Sequence, residues 1–481
     1  MKTRQFILFV IILFVLFSCS KVTNNLKVPS QKINNVVIIQ NINLVDMTSD
    51  KIIKGHSVFI KGDKIIEIKP TESIKIPENS KMINGEGGYL MPGLSDMHIH
   101  TNKDWNNWPV SPLRLYLANG VTTIRCLGPK GGDQKYALRW REKISKGQLI
   151  GPTIYASGPI IYGPVQDPER TVNKNIDAGF DFIKLYSFLS QNEFQKIMTM
   201  AKQKGVYTVG HIPFQVGLDG VVSNGIDEIA HIEELAWEFV HFNKQLKIKG
   251  YKWIPYVIKM AFQQYQAAYS NLSIVDLEKK LARSLSSVAD KVKTADLPVD
   301  TTLYIDDVIV EKLFEPNTFI SKPINKYLPG SYINRFKQKK EKHQIQFKGG
   351  EDFAIFKRNL DRLIFNYLKR QKVFLVLGTD SGTGAMGIVP GYSIHEELRI
   401  LTESGYSPFE AIKTGTVNAA MIVDKMNGKG NFGTIEKGKR ADLILIKNNP
   451  LENVSNIKNI VGVMASGRWY DKAMLKKLIE L

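Results

Sequence analysis

The stretch Leu90-Met91-Pro92-Gly93-Leu94-Ser95-Asp96-Met97-His98-Ile99-His100 is the most informative segment of this 481-residue chain. It predicts a short β-strand that ends at the two histidines. Residues two apart on a strand point to the same side, so His98 and His100 project together. Two imidazoles at the end of a strand suit a divalent metal ion. Since an H-x-H pair also arises by chance, this prediction depends on the rest of the chain.

Polar residues also follow other apolar runs. His211 stands in VGHIP, His231 in IAHIEEL and Asp380 in LVLGTDSG. Barrel enzymes build their active sites at the C-terminal ends of strands, and an Asp there is costly unless it is ligated or hydrogen-bonded. Either histidine alone would be read as a core side chain. The whole chain has only 8 His, so their common placement favours one shared metal site.

Lys184 follows Phe182-Ile183 at the end of a predicted apolar strand and precedes Leu185-Tyr186, in the motif DFIKLY. A protonated lysine has no lone pair and cannot bind a metal ion. Burial near cations lowers the pKa of a lysine, and the neutral amine can then take up CO2 to form a carbamate that bridges two ions. The alternative is a lysine that extends its ammonium group to water from a strand end.

The distribution of apolar runs indicates an α/β fold. Helical segments alternate with predicted strands, and this number of units favours a closed barrel over an open sheet. The strands are predicted at 120–128, 152–158, 180–187, 206–213, 228–234, 299–306 and 373–382. Segments 241–295 and 311–353 are longer than a loop needs. They are interpreted as excursions beside the barrel mouth that either shape a pocket or decorate the surface.

The net charge of +19 raises the question of a nucleic-acid partner. Most of the excess is lysine scattered along the chain, and no nucleic-acid motif accompanies it, so no nucleic-acid partner is predicted. The densest run, 337–348, is interpreted as a solvated helical face, with contact to anionic lipid or polymer as the alternative. The sequence gives no indication of oligomeric state.

The N-terminus predicts export. Lys2 and Arg4 precede an apolar run over 6–17 that is typical of a signal peptide over 1–18. Leu16-Phe17-Ser18-Cys19 resembles a bacterial lipobox, which predicts lipidation of Cys19, a tether over 19–35 and a membrane-anchored lipoprotein of the cell envelope. The alternative is a plain signal peptide with an incidental cysteine. Only Cys126 then remains as a thiol, so no intramolecular disulfide is possible.

The motifs PGLSDMHIH, DFIKLY, VGHIP, IAHIEEL and LGTDSG together resemble those of the amidohydrolase superfamily, specifically its imidazolonepropionase-like and prolidase-like branch. The segment 393–420 and the ending GTIEKGKRADLILI are similar to it too. The resemblance runs from about residue 36 to the end, apart from the two insertions. It implies a distorted (β/α)8 TIM barrel over 92–429, with a small β-sandwich formed by 36–91 and 430–481.

The resemblance also implies a binuclear metal centre with a bridging hydroxide. The implied ligands are His98, His100 and Asp380 for the first ion, His211 and His231 for the second, and carboxylated Lys184 as the bridge. Asp380 would also orient the hydroxide and carry its proton to the leaving amine. Tyr186 is expected either to contact the substrate or to pack. Zinc suits these ligands, while Fe, Mn and Co stay open.

The expected activity is hydrolysis of an amide or peptide-type C–N bond. The expected substrate is a small molecule of the dipeptide or N-acyl amino acid class. One alternative is a mononuclear hydrolase of cyclic amides or imidazolones, although Lys184 counts against it. Another is a phosphotriester or lactone hydrolase with the same metals. A third is a surface binding protein whose hydrolase site has decayed, which the intact ligand positions disfavour. His395 in SIHEEL follows the last predicted strand, so a structural role is expected.

Overall fold

The computed structural model of the protein describes residues 27–29, 35–101, 105, 107–128, 135–384 and 386–481. The predicted signal peptide, Cys19 and most of the predicted tether lie outside the described residues, so export and lipidation stay predictions. Among the residues described, no helix is both long and apolar enough to cross a membrane.

Both ends of the chain contribute to one eight-stranded mixed sheet. Its strands are β1 (Val36–Leu44), β2 (Ile53–Lys61), β3 (Lys64–Pro70), β4 (Lys81–Asn84), β5 (Tyr89–Pro92), β14 (Leu443–Ile446), β15 (Ile460–Ala465) and β16 (Arg468–Asp471). The order is β16-β15-β14-β5-β1-β2-β3, and β4 pairs with β1. The joining of the two ends agrees with the expectation, whereas an arrangement as two facing sheets stays a prediction.

The middle of the chain forms two parallel sheets. One contains β6 (Leu94–Ile99), β7 (Val121–Cys126) and β8 (Thr153–Ala156); the other contains β9 (Ile183–Leu185), β10 (Thr208–Gly210), β11 (Glu228–Ile229), β12 (Val299–Asp300) and β13 (Leu375–Val376). Isolated parallel bridges connect Ser157 with Phe182 and Ile99 with Ser381. The strands therefore form two separate parallel sheets with isolated bridges between them, and the continuous closed barrel expected from the sequence stays a prediction.

The observed strands are shorter than the apolar runs predicted. The run 299–306 pairs only as β12, because Thr302 has a left-handed backbone with φ of 43° and a helix begins at Tyr304. The run 228–234 pairs only as β11 and continues into a 3-10 helix, Ile232–Phe239. Apolar composition shows that a segment is buried but not where its hydrogen-bond ladder ends.

Helices follow most strands of the two parallel sheets. Helix α4 illustrates their local signals: Ser190 and Glu193 form a capping box at its start, and Gly205 ends it in a left-handed conformation with φ of 63°. The helices are α1 (Pro112–Ala118), α2 (Tyr136–Ser145), α3 (Pro168–Asp177), α4 (Gln191–Lys204), α5 (Gly217–Ser223), α6 (Trp253–Ala268), α7 (Ile274–Thr294), α8 (Tyr304–Phe314), α9 (Pro316–Ser321), α10 (Gly330–Gln346), α11 (Glu351–Arg370), α12 (Ser393–Glu403), α13 (Pro408–Thr414), α14 (Val417–Asn427) and α15 (Lys472–Leu478).

The junction between the mixed sheet and the parallel sheets is tight. Strand β5 ends at Pro92 and β6 begins at Leu94, so one glycine separates them. A Cβ atom on Gly93 would lie 2.1 Å from Thr122 Oγ1, which no side chain tolerates. This close contact holds the start of β6, and the six residues of that strand are buried. The strand therefore delivers His98 and His100 at a defined position in the interior.

Candidate metal centre

All six predicted ligands lie at or just after the C-terminal ends of strands in the two parallel sheets. The ring centroids of His98 and His231 are 4.2 Å apart, those of His211 and His231 are 4.8 Å apart, and those of His98 and His100 are 5.3 Å apart. Donor atoms of His98, His100 and Asp380 lie within 4.8 Å of one another, a spacing that could hold an ion. The structure thus brings together residues separated by up to 282 positions, from 98 to 380.

Each of the four histidines is oriented through its Nδ1 atom. His98 Nδ1 donates to the Ala230 carbonyl oxygen at 2.8 Å and to Asp300 Oδ2 at 3.0 Å, and His100 Nδ1 donates to the Gly128 carbonyl oxygen at 2.8 Å. Carbonyl and carboxylate oxygens only accept, so Nδ1 carries a proton in both rings, which leaves Nε2 to bind a metal ion or a second proton.

The other two rings are held in the same way. His231 Nδ1 is 3.0 Å from Thr302 Oγ1, and His211 Nδ1 contacts Glu234 Oε1. Such outer contacts fix the tautomer and the direction of metal-binding imidazoles. Burial, with repulsion from His231 and Lys184, holds the pKa of His98 well below its usual value. Burial and the charge of His211 likewise lower the pKa of His231. Neutral rings are the form that binds metals.

Asp380 adopts an unusual backbone conformation at this point. Its φ is 56°, in the left-handed region, and its amide donates to the His98 carbonyl oxygen at 2.8 Å. Such strain in a non-glycine residue occurs at functional sites. Burial acts to raise the pKa of Asp380, but the charge of a protonated His100 and its hydrogen bond, together with the charges of His231 and Lys184, lower the pKa to about 2. Asp380 is therefore a carboxylate at neutral pH.

Lys184 is fully buried, and burial lowers its pKa to about 8 against the attraction of Asp300 and Asp380. Its Nζ atom, His98 Nε2 and Asp380 Oδ1 have no hydrogen-bond partner among the residues described. Asp380 Oδ1 also lies 3.0 Å from His100 Nε2. Two acceptors this close need a cation, either a proton or a metal ion. The close spacing of the His98, His100 and Asp380 donor atoms, beside a buried lysine with an unpartnered Nζ, fits a metal centre.

A second group of carboxylates already surrounds a lysine side chain. Glu233, Asp306 and Asp361 also lie within metal-binding distance of one another. Lys357 Nζ already occupies their centre, at 2.8, 2.6 and 2.7 Å from their respective oxygens. An apolar cavity of about 560 Å³ adjoins this group, lined by helices α6, α8 and α11, and none of the six candidate ligands lines it. We therefore locate the chemistry at the histidine cluster.

Comparison with known proteins identifies the family of the chain. Residues 89–470 match the amidohydrolase family. The chain belongs to the amidohydrolase family. The resemblance noted in the sequence is thereby confirmed, and the matched region contains all six candidate ligands.

Two curated relatives are similar to parts of this amidohydrolase. An adenine deaminase from Ruegeria sp. (strain TM1040) is 30% identical over 87 residues, which cover 18% of this chain and 14% of that protein. An imidazolonepropionase from Alkaliphilus metalliredigens is 33% identical over 90 residues, covering 18% of this chain and 21% of that protein. The matched regions thus span a small part of either relative.

Solved structures resemble the amidohydrolase over most of its length. A Xaa-Pro dipeptidase with methionine bound in its active site has a TM-score of 0.60 at 19% identity, covering 91% of this chain and all (100%) of that one. A molinate hydrolase has a TM-score of 0.61 at 16% identity, covering 91% of this chain and 95% of that one. At these identities the likeness establishes the fold.

Several residues of the site were not singled out by the sequence motifs. Asp300, buried at the end of β12, contacts His98; Arg125 on β7 contacts both Asp300 and Glu228; Glu234 contacts His211 and accepts from the Ile212 amide at 2.9 Å. Asp300 is the second residue of the run 299–306 that was predicted as a strand, so the strand-end reasoning that found Asp380 did not select it. Arg125 had no comparable signal, because a charged residue inside an apolar run is usually an exposed one.

The structure also locates Tyr186 and His395. The Tyr186 ring lies 4.2 Å from the His211 ring, beside the histidine cluster, so either predicted role stays open. His395 is on α12, where its Nε2 donates to the Asn119 carbonyl oxygen at 3.1 Å. This contact is compatible with the expected structural role, which stays a prediction.

His395 provides a pH-dependent test of this structural role. Burial lowers its pKa to about 4, against 6.5 for an ordinary histidine. The unfolded chain binds the proton first, so His395 costs stability as the pH falls from 6.5 to about 4, by up to about 3 kcal/mol. We expect a His395→Gln variant to lose less stability than wild type across this range, in urea unfolding of metal-free protein. His241→Gln, at an exposed position, serves as control; equal pH profiles for wild type and His395→Gln would contradict the expectation.

Proposed function

We propose that this amidohydrolase is a metal-dependent hydrolase that cleaves an amide or peptide-type C–N bond in a dipeptide or N-acyl amino acid. The observation that carries the proposal is the buried cluster in which His98 Nε2, Lys184 Nζ and Asp380 Oδ1 have no hydrogen-bond partner among the described residues. The cluster combines nitrogen and oxygen donors, as hydrolytic metal sites do.

The proposed metal ligands are the six residues that the sequence motifs suggested. His98, His100 and Asp380 would hold one ion, and His211 and His231 a second, with Lys184 as a carbamate between them. Divalent ions bound here would supply Lewis-acid polarisation of the scissile carbonyl and an activated water at neutral pH. Zinc suits these donors.

Asp380 would transfer protons, and Lys184 would form the carbamate. Asp380, with a pKa of about 2, is ionised and would accept a proton from the attacking water and deliver it to the leaving amine. Lys184, with a pKa of about 8, is partly neutral near pH 8. Its nitrogen would form a bond to the carbon of CO2 and release one proton, which leaves an anionic oxygen ligand.

The substrate class is supported by the fold and by the chemistry of the cluster. The likeness to a Xaa-Pro dipeptidase over 91% of the chain favours small peptides and N-acyl amino acids. The short matches to adenine deaminases and an imidazolonepropionase favour a second candidate, hydrolysis of a cyclic amide or amidine at a mononuclear site. The buried Lys184 favours the first candidate, since a bridging ligand is needed only between two ions.

The proposal also includes the closed barrel, the β-sandwich domain and the membrane anchor. The bridges from Ser157 to Phe182 and from Ile99 to Ser381 support one distorted (β/α)8 barrel over 92–429. The mixed sheet would be the β-sandwich domain of 36–91 and 430–481. Cys19 would anchor the enzyme to a membrane of the cell envelope, so that the substrate is met outside the cytoplasm.

Metal content tests the proposal directly. We expect about two divalent ions per chain in protein expressed from residue 20 with zinc and bicarbonate, and fewer in Lys184→Ala, measured by mass spectrometry. Lys312→Ala is a matched control, because Lys312 is partly buried, its pKa is also lowered to about 8 by burial, and it is not one of the six candidate ligands. One ion that the Lys184 substitution does not change would favour the mononuclear candidate. Folded protein with no bound metal would refute the proposal.

A further inference from the structure

Beside the histidine cluster lies a group of four aromatic side chains, Tyr162, Tyr186, Phe188 and Tyr251, here called the aromatic wall. Its rings are in mutual contact. The Tyr186 ring is 4.6 Å from Tyr162 and 5.1 Å from Phe188, and the Tyr251 ring is 4.9 Å from Phe188 and 6.0 Å from Tyr162. These are the centroid distances of attractive aromatic pairs.

The backbone places the wall against the reaction centre. The Tyr186 amide donates to the Ile161 carbonyl oxygen at 3.0 Å, which sets Tyr162 next to Tyr186. Tyr186 follows Lys184 by two residues at the end of β9, and its ring is 4.2 Å from that of His211. The wall therefore begins at a candidate metal ligand.

The outer member of the wall comes from the insertion after β11. Tyr251 lies on a 3-10 helix, Gly250–Lys252, and 60% of its surface is exposed. The neighbouring Trp253 anchors this turn, because it is 1% exposed and stacks on Phe214 at 5.8 Å. The anchored turn therefore holds the Tyr251 ring in position while most of its surface stays exposed to solvent.

We propose that the aromatic wall is a specificity subsite that binds a flat aromatic or cyclic group of the substrate, with Tyr251 as its insertion-derived residue. This inference rests on the proposed function and narrows it to substrates that carry such a group next to the scissile bond. Two of the four ring pairs are edge to face and two are tilted, and such arrangements leave π-surfaces on which a further ring can pack. Apolar aromatic linings with a few polar groups are typical of small-molecule sites.

Two non-hydrolysable phosphonates that differ in a single ring test the subsite. Benzylphosphonate and methylphosphonate present the same anionic head to the metal centre, and the benzyl ring alone can reach the wall. In metal-loaded wild type, measured by titration calorimetry, we expect benzylphosphonate to bind about tenfold more tightly. In Tyr251→Ala this ratio of dissociation constants should fall towards one, and Tyr251→Phe, which keeps the ring, should restore it.

Ile258→Ala is the matched control, because Ile258 is a 43% exposed apolar residue of the same insertion that lines the separate cavity. Its ratio should equal that of wild type. A ratio near one in wild type, binding of neither phosphonate, or an unchanged ratio in Tyr251→Ala would overturn the subsite. Amide hydrolysis is assayed separately. If the dissociation constants show the expected ratios but no amide is hydrolysed, the proposed function alone is refuted. If amides are hydrolysed but the wild-type ratio of dissociation constants is one, the subsite alone is refuted.

Discussion

Replacement of Asp380 by Asn is expected to lower kcat by about a thousandfold. The substitution keeps the shape of the side chain, and asparagine tolerates the left-handed backbone with φ of 56°. It removes the negative charge, so residue 380 can no longer take a proton from water or pass it to the leaving amine. Steady-state kinetics with dipeptides and N-acyl amino acids measures the loss.

Asp296→Asn is a matched control for that substitution. Asp296 also has a left-handed backbone, with φ of 50°, but its side chain is 81% exposed and pairs with Lys425 at the surface. Its kcat should equal that of wild type. Metal content must be measured in both variants: lost metal would assign Asp380 to metal binding, whereas retained metal with lost kcat would assign it to proton transfer. If the kcat of Asp380→Asn is within tenfold of the wild-type value, Asp380 has neither role.

Replacement of Arg125 by Met is expected to lower the free energy of unfolding by about 3–5 kcal/mol. Arg125 is fully buried and donates to Glu228 Oε2 at 2.7 Å and to Asp300 Oδ1 at 3.1 Å. Without it, Glu228 and Asp300 stay in the interior without the guanidinium group that pairs with both of them. The same change frees Asp300, which orients His98 through Nδ1, so metal affinity should fall as well.

Chemical unfolding of metal-free protein, followed by tryptophan fluorescence, separates stability from metal binding. Arg399→Met is the control, because Arg399 is 36% exposed and pairs with Glu396 and Glu403 on one helix, where a loss below about 1 kcal/mol is expected. The triple variant Arg125→Met, Glu228→Gln, Asp300→Asn should recover most of the stability, since its interior carries no unpaired charge. If Arg125→Met were as stable as Arg399→Met, the network would have no structural role.

The sequence alone was enough to predict that the six candidate ligands lie close together. His98 and His100 share one face of β6 because side chains alternate along a strand. His211, His231, Lys184 and Asp380 end other apolar runs, and the C-terminal ends of parallel strands meet at one side of a sheet. These are local patterns combined with one general rule of topology, and they led to the residues that converge in the structure.

Only the tertiary structure decided what holds those residues. The partners of His98 and Arg125 are distant in sequence: Asp300 is 202 residues from His98, and Glu228 is 103 residues from Arg125. The aromatic wall likewise needs Tyr251 from an insertion to meet Tyr162 and Phe188. Periodicity and strand-end position are properties of neighbouring residues, so they can be read from the chain. The choice of a buried partner depends on which strands and insertions pack together, and that is settled only when the whole interior forms.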